Sequence, residues 1–417
     1  MVNLTVSNPK ILDTFLIKFR HHFSKPVFRS FSFYVAGLFL LYKRASIQSI
    51  SLYSPAAKYE NMQYFLSEAQ WDPDELNSHR IHIIESNRTT KSSIRGVAII
   101  DDTGAKKTGF HTEGAQVQYF PTDKSKTRCN IVVTSAYSDH HKRFPVNFRP
   151  YIPEKDLFFQ NNPETPFKSK IQLAIELIQD LIDKKISFSD IVFDSWYFAA
   201  SVVEFIEDLY LTFITEATSD RLVSFKGKWL HAGELVKFIP LNKLKAVTAI
   251  NSKKETKPFL TYSFVSKIKG IDSPVKIVVA FGKWNEEDPK DVHVFVTNHL
   301  AYSAFQVITK YALRWSIEWI FRDLKENVYF DHYQVRSIKA ISRHWHLSAL
   351  AYSFLYWSKF NGYLSKNFVF QSKPKTMGKQ LQLFRNINSI TSADWITQNY
   401  QTYQNFLGIK ISSRRAA

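Results

Sequence analysis

Apolar positions spaced three and four apart dominate the first ninety residues and predict helices over about 29–43 and 57–69. The turn-like SLYSP at 51–55 joins them. Helix, short turn, helix is shared by DNA-reading modules and by plain helical bundles, and no base-reading residue stands out here. From residue 94 the pattern shortens. IRGVAIID (94–101) and IVFD (191–194) are apolar runs that each end in an acid, which suits buried strands. KTRCNIVVTSAYS (126–138), RFPVNFRPYI (143–152) and LTFITE (211–216) are also strand-like. Between them, KSKIQLAIELIQDLIDK (168–184) carries Ile171, Ala174, Ile175, Ile178, Leu181 and Ile182 as the apolar stripe of an amphipathic helix, and a second helical stretch runs to about 209.

The order β, β, β, α, β, α, β fits an α/β core of the ribonuclease-H-like type. In such a core the first and fourth strands are neighbours and present their acids at one edge. Residues 218–300 read as a mainly β insertion, with strands in FLTYSFVSKIK (259–269), VKIVVAF (275–281) and VHVFVTN (292–298). Ser303 and Gln306 have capping-box spacing and mark the start of the helix carrying Glu318. A further helix covers about 337–360. The chain thus divides into a helical region at 1–90 expected to bind DNA, a first core part at 91–217, the insertion at 218–300, a second core part at 301–360, and a helical, basic tail at 361–417.

Within YALRWSIEWIFRDLK (311–325), Tyr311, Arg314, Glu318 and Lys325 fall at offsets 0, 3, 7 and 14. On an α-helix these project to about 0°, −60°, −20° and −40°, so all four share one narrow stripe. One carboxylate flanked by two cations and a hydroxyl suits a metal ion beside phosphates; the bland alternative is a solvated face with a Glu–Arg pair.

Composition strengthens the first reading. Lys and Arg number 55 against 37 Asp and Glu, a net charge of +18, which suits a polyanionic partner, nucleic acid before an anionic membrane surface. Cys129 is the only cysteine, which excludes an internal disulfide or a cysteine-rich zinc site and fits a reducing interior. The apolar run FYVAGLFLLY at 33–42 is too short for the roughly 20 residues of a membrane span. No secretion signal is visible, so a cytoplasmic, nucleoid-associated protein is expected.

Three carboxylates can hold two divalent ions, one activating the attacking oxygen of a phosphodiester reaction and the other stabilising the leaving oxygen. Oxygen ligands favour Mg2+, with Mn2+ as substitute. The candidates are Asp101 or Asp102, Asp194 and Glu318.

The Tyr-Arg-Glu-Lys spacing of two, three and six intervening residues resembles the signature of DDE transposases of the insertion-sequence-four group. DDTGAKKTG (101–109), FDSWY (193–197) and LKENVYFDHYQVRS (324–337) resemble its IS-seven-oh-one-like branch more narrowly, and the similarity extends to about residue 360. The resemblance implies a ribonuclease-H-like fold with a β insertion, and Asp101, Asp194 and Glu318 as the metal-binding catalytic acids. It favours Asp101 over Asp102, which strand alternation places on opposite faces. It also implies that Tyr311, Arg314 and Lys325 grip phosphates near the transposon end.

Lys106 and Lys107 follow the first acid and either meet the DNA backbone or belong to a solvated loop. Trp229 and Trp284 lie where some relatives flip a base onto an aromatic, although core packing is the commoner use. His344 and His346 read as helix packing, while His332 and Arg336 in DHYQVRS have no assigned role. The implied activity is hydrolysis at each end of an insertion sequence, releasing a 3′-hydroxyl that attacks target DNA. Hairpin ends and a homodimeric synaptic complex on double-stranded DNA are implied with it. The alternatives are a nuclease on the same core that does not join strands and an inactive DNA-binding descendant.

Overall fold

The computed structural model describes residues 10–41, 46–53, 57–120, 124–250, 255–283, 290–361 and 376–386. Helices α1 (Lys10–Leu16), α2 (Lys25–Leu40), α3 (Ile47–Tyr53), α4 (Tyr59–Ser67) and α5 (Pro73–Glu85) come first. Strands β1 (Val97–Lys106), β2 (Gln116–Phe120), β3 (Ser125–Ser138) and β4 (Arg143–Tyr151) follow. Then come α6 (Leu157–Asn161), α7 (Lys170–Asp183), β5 (Asp190–Phe193), α8 (Ala200–Asp208) and β6 (Phe213–Glu216). Strands β7 (Leu222–Phe225), β8 (Lys228–His231), β9 (Lys245–Ile250), β10 (Thr256–Ile268), β11 (Ile271–Lys283) and β12 (Lys290–Thr297) precede α9 (Ala304–Ala312), α10 (Ser316–Val328) and α11 (Ile338–Phe360).

The chain divides into two units. One comprises residues 1–90, 109–113 and 322–417; the other comprises 91–108 and 114–321. The division falls inside α10, between Phe321 and Arg322. The expected turn at 51–55 is helical through Tyr53, the last residue of α3, and 54 and 55 lie outside the described residues.

The second unit is built on one large mixed sheet. Its path is β2-β3-β1-β5-β6-β12-β11-β10-β7-β8, with β4 on β3 and β9 on β10. Along β4-β3-β1 the strands are antiparallel, whereas β1, β5 and β6 are mutually parallel. The strands expected at 218–300 continue this same sheet through β12, which pairs with β6. Helix α7 begins with a full capping box between Ser169 and Gln172. Its buried stripe is rotated from the expected one: Leu173, Ala174, Leu177, Ile178 and Leu181 are buried, while Ile171, Ile175 and Ile182 are only half-buried.

Entry into β1 is tight. Gly96 lies against the ring of buried Tyr137, whose hydroxyl accepts from Ser93 N–H (2.9 Å) and donates to Asp139 (2.9 Å). A Cβ at this position collides with the Tyr137 ring. Gly96→Ala should therefore lower stability by about 1–3 kcal/mol in urea denaturation. An unchanged midpoint would show that Tyr137 can move aside.

In the first unit, α11 is the central helix, buried from Ala340 to Tyr356 on nearly every side. Phe15, Phe19, Phe31, Phe65, Trp345 and Phe354 supply much of this unit's aromatic core. The expected packing role of two histidines is seen directly. His344 Nδ1 lies 2.7 Å from the Tyr34 hydroxyl, and His346 is buried with Nδ1 2.8 Å from the Ser342 carbonyl. Among the described residues no helix is long and apolar enough to cross a membrane. Only 376–386 of the expected helical tail is described, and 377–386 is helical.

Candidate active site

The register of the parallel strands brings distant acids together. Ile100 of β1 pairs with Phe193 of β5, so the next residue on each strand is Asp101 and Asp194. Neighbouring strands lie about 4.8 Å apart. On the other side Val192 pairs with Ile214 of β6, and two residues further on, Asp194 is in line with Glu216. Three adjacent strands thus present three carboxylates in a row, at the level where the parallel pairing of β1 with β5 stops. The Asp194 side chain accepts from Trp196 N–H (2.5 Å), a cap that ends β5 and opens the 3-10 turn Ser195–Tyr197.

Burial pushes the Asp101 carboxyl up to about 7. Arg314 and the Asp102 N–H pull it down, whereas the charges of Asp102 and Asp194 raise it further. Arg314 Nη1 lies 3.1 Å from Asp101 Oδ2, and Asp102 N–H donates to Asp101 Oδ1 at 2.8 Å. Asp102 has its own partners, Lys170 Nζ at 2.9 Å and the Tyr197 hydroxyl at 2.8 Å. Burial and the three nearby aspartates hold the Tyr197 phenol protonated. The Lys170 ammonium also lies 5.0 Å over the ring of exposed Trp196.

The segment carrying the Tyr-Arg-Glu-Lys set starts at the expected Ser303–Gln306 capping box. It is not one continuous α-helix. A 3-10 turn, Leu313–Trp315, separates α9 from α10. Each 3-10 residue turns about 120° instead of 100°, so Glu318 sits about 60° further round than an unbroken helix would place it.

Lys310 anchors α9 by pairing with fully buried Asp190 at the start of β5. Next in the chain, Tyr311 is buried, its ring on Phe295 and its hydroxyl 3.5 Å from Glu216 Oε2. Arg314 packs over the rings of Tyr311 and Trp315 while reaching Asp101. Tyr311 and Arg314 are therefore set among acids, and the solvated-face alternative fails for them. Glu318 is exposed in the first turn of α10, and among the described residues it makes no hydrogen bond or ion pair.

The other expected residues lie on the following elements. Lys325 is in the last turn of α10, within the first unit. Lys106 is exposed at the end of β1, and Lys107 N–H donates to the Arg128 carbonyl. Trp229 is exposed on β8, and Trp284 lies outside the described residues. His332 lies 3.7 Å from Asp331, and Arg336 is exposed. Sequence reasoning missed Glu216, Lys170 and Tyr197. The signal for Glu216 was present, since LTFITE is a third apolar strand closing on an acid.

The donor set consists of carboxylate oxygens, and crowding of like charge at Asp101 is the situation a divalent cation relieves. Asp101 and Asp194 supply two such donors from neighbouring strands. The proton on Asp101 competes with the cation, so divalent affinity should fall as pH drops below about 7.

Without the ion, the sign is fixed by the raised carboxyl. Its favourable contribution is complete below the ordinary value of 3.8 and is lost as pH rises through about 7. Metal-free wild type should lose stability relative to Asp101→Asn between about pH 4 and 7 and run parallel to it above, as read by denaturation at each pH. Parallel curves throughout would mean that the Asp101 carboxyl is not shifted.

A family model described as DDE superfamily endonuclease matches residues 18–232, a span that includes Asp101 and Asp194 and ends before Glu318. Over 199 residues the chain is 25% identical to the probable transposase for insertion sequence element IS701 of Microchaete diplosiphon, covering 47% of this chain and 50% of that protein. The chain thus spans about half the length of this relative. Among solved structures, the piggyBac transposase synaptic complex with hairpin DNA aligns with 98% of this chain and 82% of its own, at 11% identity and a TM-score of 0.48. With more than half of its 417 residues matched and two acids of the match aligned across neighbouring strands, the chain belongs to the DDE superfamily endonucleases.

Proposed function

We propose that this protein is a DNA transposase that cuts and rejoins the ends of an insertion sequence of the IS701 type. The single observation that carries the reading is that Asp101 and Asp194 stand side by side, each one residue past the last parallel pair of β1 and β5, with Arg314 bridging to Asp101. The order β4-β3-β1-β5-β6, antiparallel then parallel, supports a ribonuclease-H-like core. Glu318, solvent-facing one turn beyond Arg314, serves as the third acid. The net charge of +18 suits double-stranded DNA at both the element's ends and the target.

Asp101, Asp194 and Glu318 would hold magnesium, with manganese as substitute. When bound, the ions supply Lewis-acid activation and charge stabilisation at phosphorus. The chain's own groups orient the DNA. Arg314 can exchange one bond to Asp101 for a phosphate oxygen, and its planar guanidinium suits two such bonds. Tyr311 offers a protonated hydroxyl to a phosphate, because burial and the acids around it oppose ionisation. Lys325 contributes a point charge, and Lys106 and Lys107 meet the backbone beyond the first acid.

In the first step a water oxygen bonds to phosphorus and the 3′-oxygen leaves, taking up a proton as a 3′-hydroxyl. In the second, that hydroxyl attacks a target phosphodiester and releases a new 3′-end. Two chains act together, one for each end; between these steps the 3′-hydroxyl attacks the opposite strand, closing a hairpin and freeing the flanking DNA as a 3′-end, and water reopens the hairpin to restore the 3′-hydroxyl.

A labelled duplex bearing the element's end, incubated with a target plasmid and Mg2+, tests the reading. Label joined covalently to the plasmid is expected. Cleavage without joining would reduce the protein to a nuclease. Arg314→Ala and Lys325→Ala should each weaken end binding and flatten its log–log salt dependence by about 0.9 for each phosphate no longer neutralised. An unchanged slope places those side chains away from the DNA.

A further inference from the structure

Three histidines gather in the first unit, which does not contain Asp101, Asp194 or Glu318. His21 and His22 end the 3-10 turn Ile17–His22, and His79 faces them from α5. His22 Nε2 lies 3.1 Å from His79 Nδ1. One ring nitrogen from each of the three lies within 4.8 Å of the others. Buried Phe19 packs against the His79 ring at 4.9 Å and fixes it from beneath.

We propose that His21, His22 and His79 bind one borderline transition-metal ion, zinc above all, which ties the Ile17–His22 turn to α5. Zinc–nitrogen bonds of about 2.0–2.1 Å in a tetrahedral arrangement place two ligand atoms about 3.3 Å apart. The His22–His79 pair is already close to that separation. A simple His–His hydrogen bond would also give it, but would not account for the third imidazole. His21 is exposed at the end of the turn, so its side chain can rotate the remaining distance. Imidazole donors without thiolate favour zinc, nickel or copper over magnesium.

Burial lowers His79 to about 4, with the neighbouring charges of His21, His22, His82 and Lys18 acting in the same direction. Burial and His21 lower His22 as well, against the opposing pull of Glu75. Glu75 precedes His79 by one helical turn on α5 and offsets the positive charge that the ion and Lys18 bring.

The test uses the full chain, stripped with chelator and titrated with Zn2+ in excess Mg2+, which fills oxygen-donor sites. One zinc per chain is expected. Its affinity should fall roughly tenfold or more in His79→Ala and in His21→Ala and stay unchanged in Asp194→Asn. Because His21 is exposed, weaker binding in His21→Ala reports a missing ligand and not a damaged fold. Co2+ in place of zinc should give visible ligand-field absorption that the same two histidine variants lack. No uptake by the wild type, wild-type affinity in both histidine variants, or zinc binding abolished only by Asp194→Asn would each overturn the site.

Discussion

Asp194→Asn should lower cleavage of element-end DNA by on the order of a thousandfold or more, with the fold intact. The residue directly follows β5 beside Asp101, so the substitution removes a carboxylate next to another on the neighbouring strand. An Asn side chain still accepts from Trp196 N–H, as Asp194 does, and the cap of the following turn is kept. The strand end should stay in place while the charge disappears. Asp102→Asn gives the contrast. Asp102 is occupied by Lys170 and Tyr197, so its loss should cost only about ten- to a hundredfold, through positioning. Single-turnover cleavage of a labelled end duplex measures both. Turnover near wild type in Asp194→Asn would remove that residue from the chemistry, and a larger defect in Asp102→Asn would exchange the two roles.

The largest expected effect on stability lies in the helical unit. Arg343 is 2% exposed on α11, and its guanidinium donates to the carbonyls of Leu66 (3.1 Å), Ala69 (2.7 Å) and Trp71 (2.6 Å). Its plane lies 4.5 Å from the Trp71 ring, which itself stacks on Phe65. One side chain thus gathers carbonyls at and just beyond the C-terminal end of α4, where a helix leaves them unpaired. Arg343→Met keeps most of the volume but strands those carbonyls in an apolar setting. We expect a loss of about 3–5 kcal/mol in chemical denaturation, since each buried unpaired group costs about 1–3 kcal/mol. If Met were tolerated within about 0.5 kcal/mol, as at an ordinary surface position, water would be meeting the carbonyls and the bonds would carry little.

Much of this architecture is legible in the sequence because its signals are local. The runs at 94–101 and 191–194 end in Asp101 and Asp194, and the structure sets those two strands side by side. The Ser303–Gln306 capping box also starts a helix, α9, although Glu318 lies on the next one, α10. What escaped depends on tertiary packing. The buried face of α7 centres on Leu173 and Leu177, and a stripe drawn mainly through isoleucines misses it.

The 3-10 turn at Leu313–Trp315 follows from fitting Lys310 to Asp190 and Arg314 to Asp101 on one segment, partners more than a hundred residues away. Strands β7 and β8 were overlooked because they span only four residues each. Their turn, Lys226–Gly227, has positive φ at both positions, the geometry of a tight hairpin for which Gly227 is the visible cue. Glu216 was hidden in plain view, since a strand-final acid acquires meaning only when its neighbours in the sheet are known.

The pairing of Ile100 with Phe193 has an evolutionary consequence. Deleting one residue from β5 would slide Asp194 by about 3.3 Å and turn its side chain to the opposite surface. No single replacement elsewhere restores that. Lineages descended from this gene should accumulate exchanges within 97–101 and 190–194 but no gaps there, while insertions collect at the Lys226–Gly227 hairpin tip.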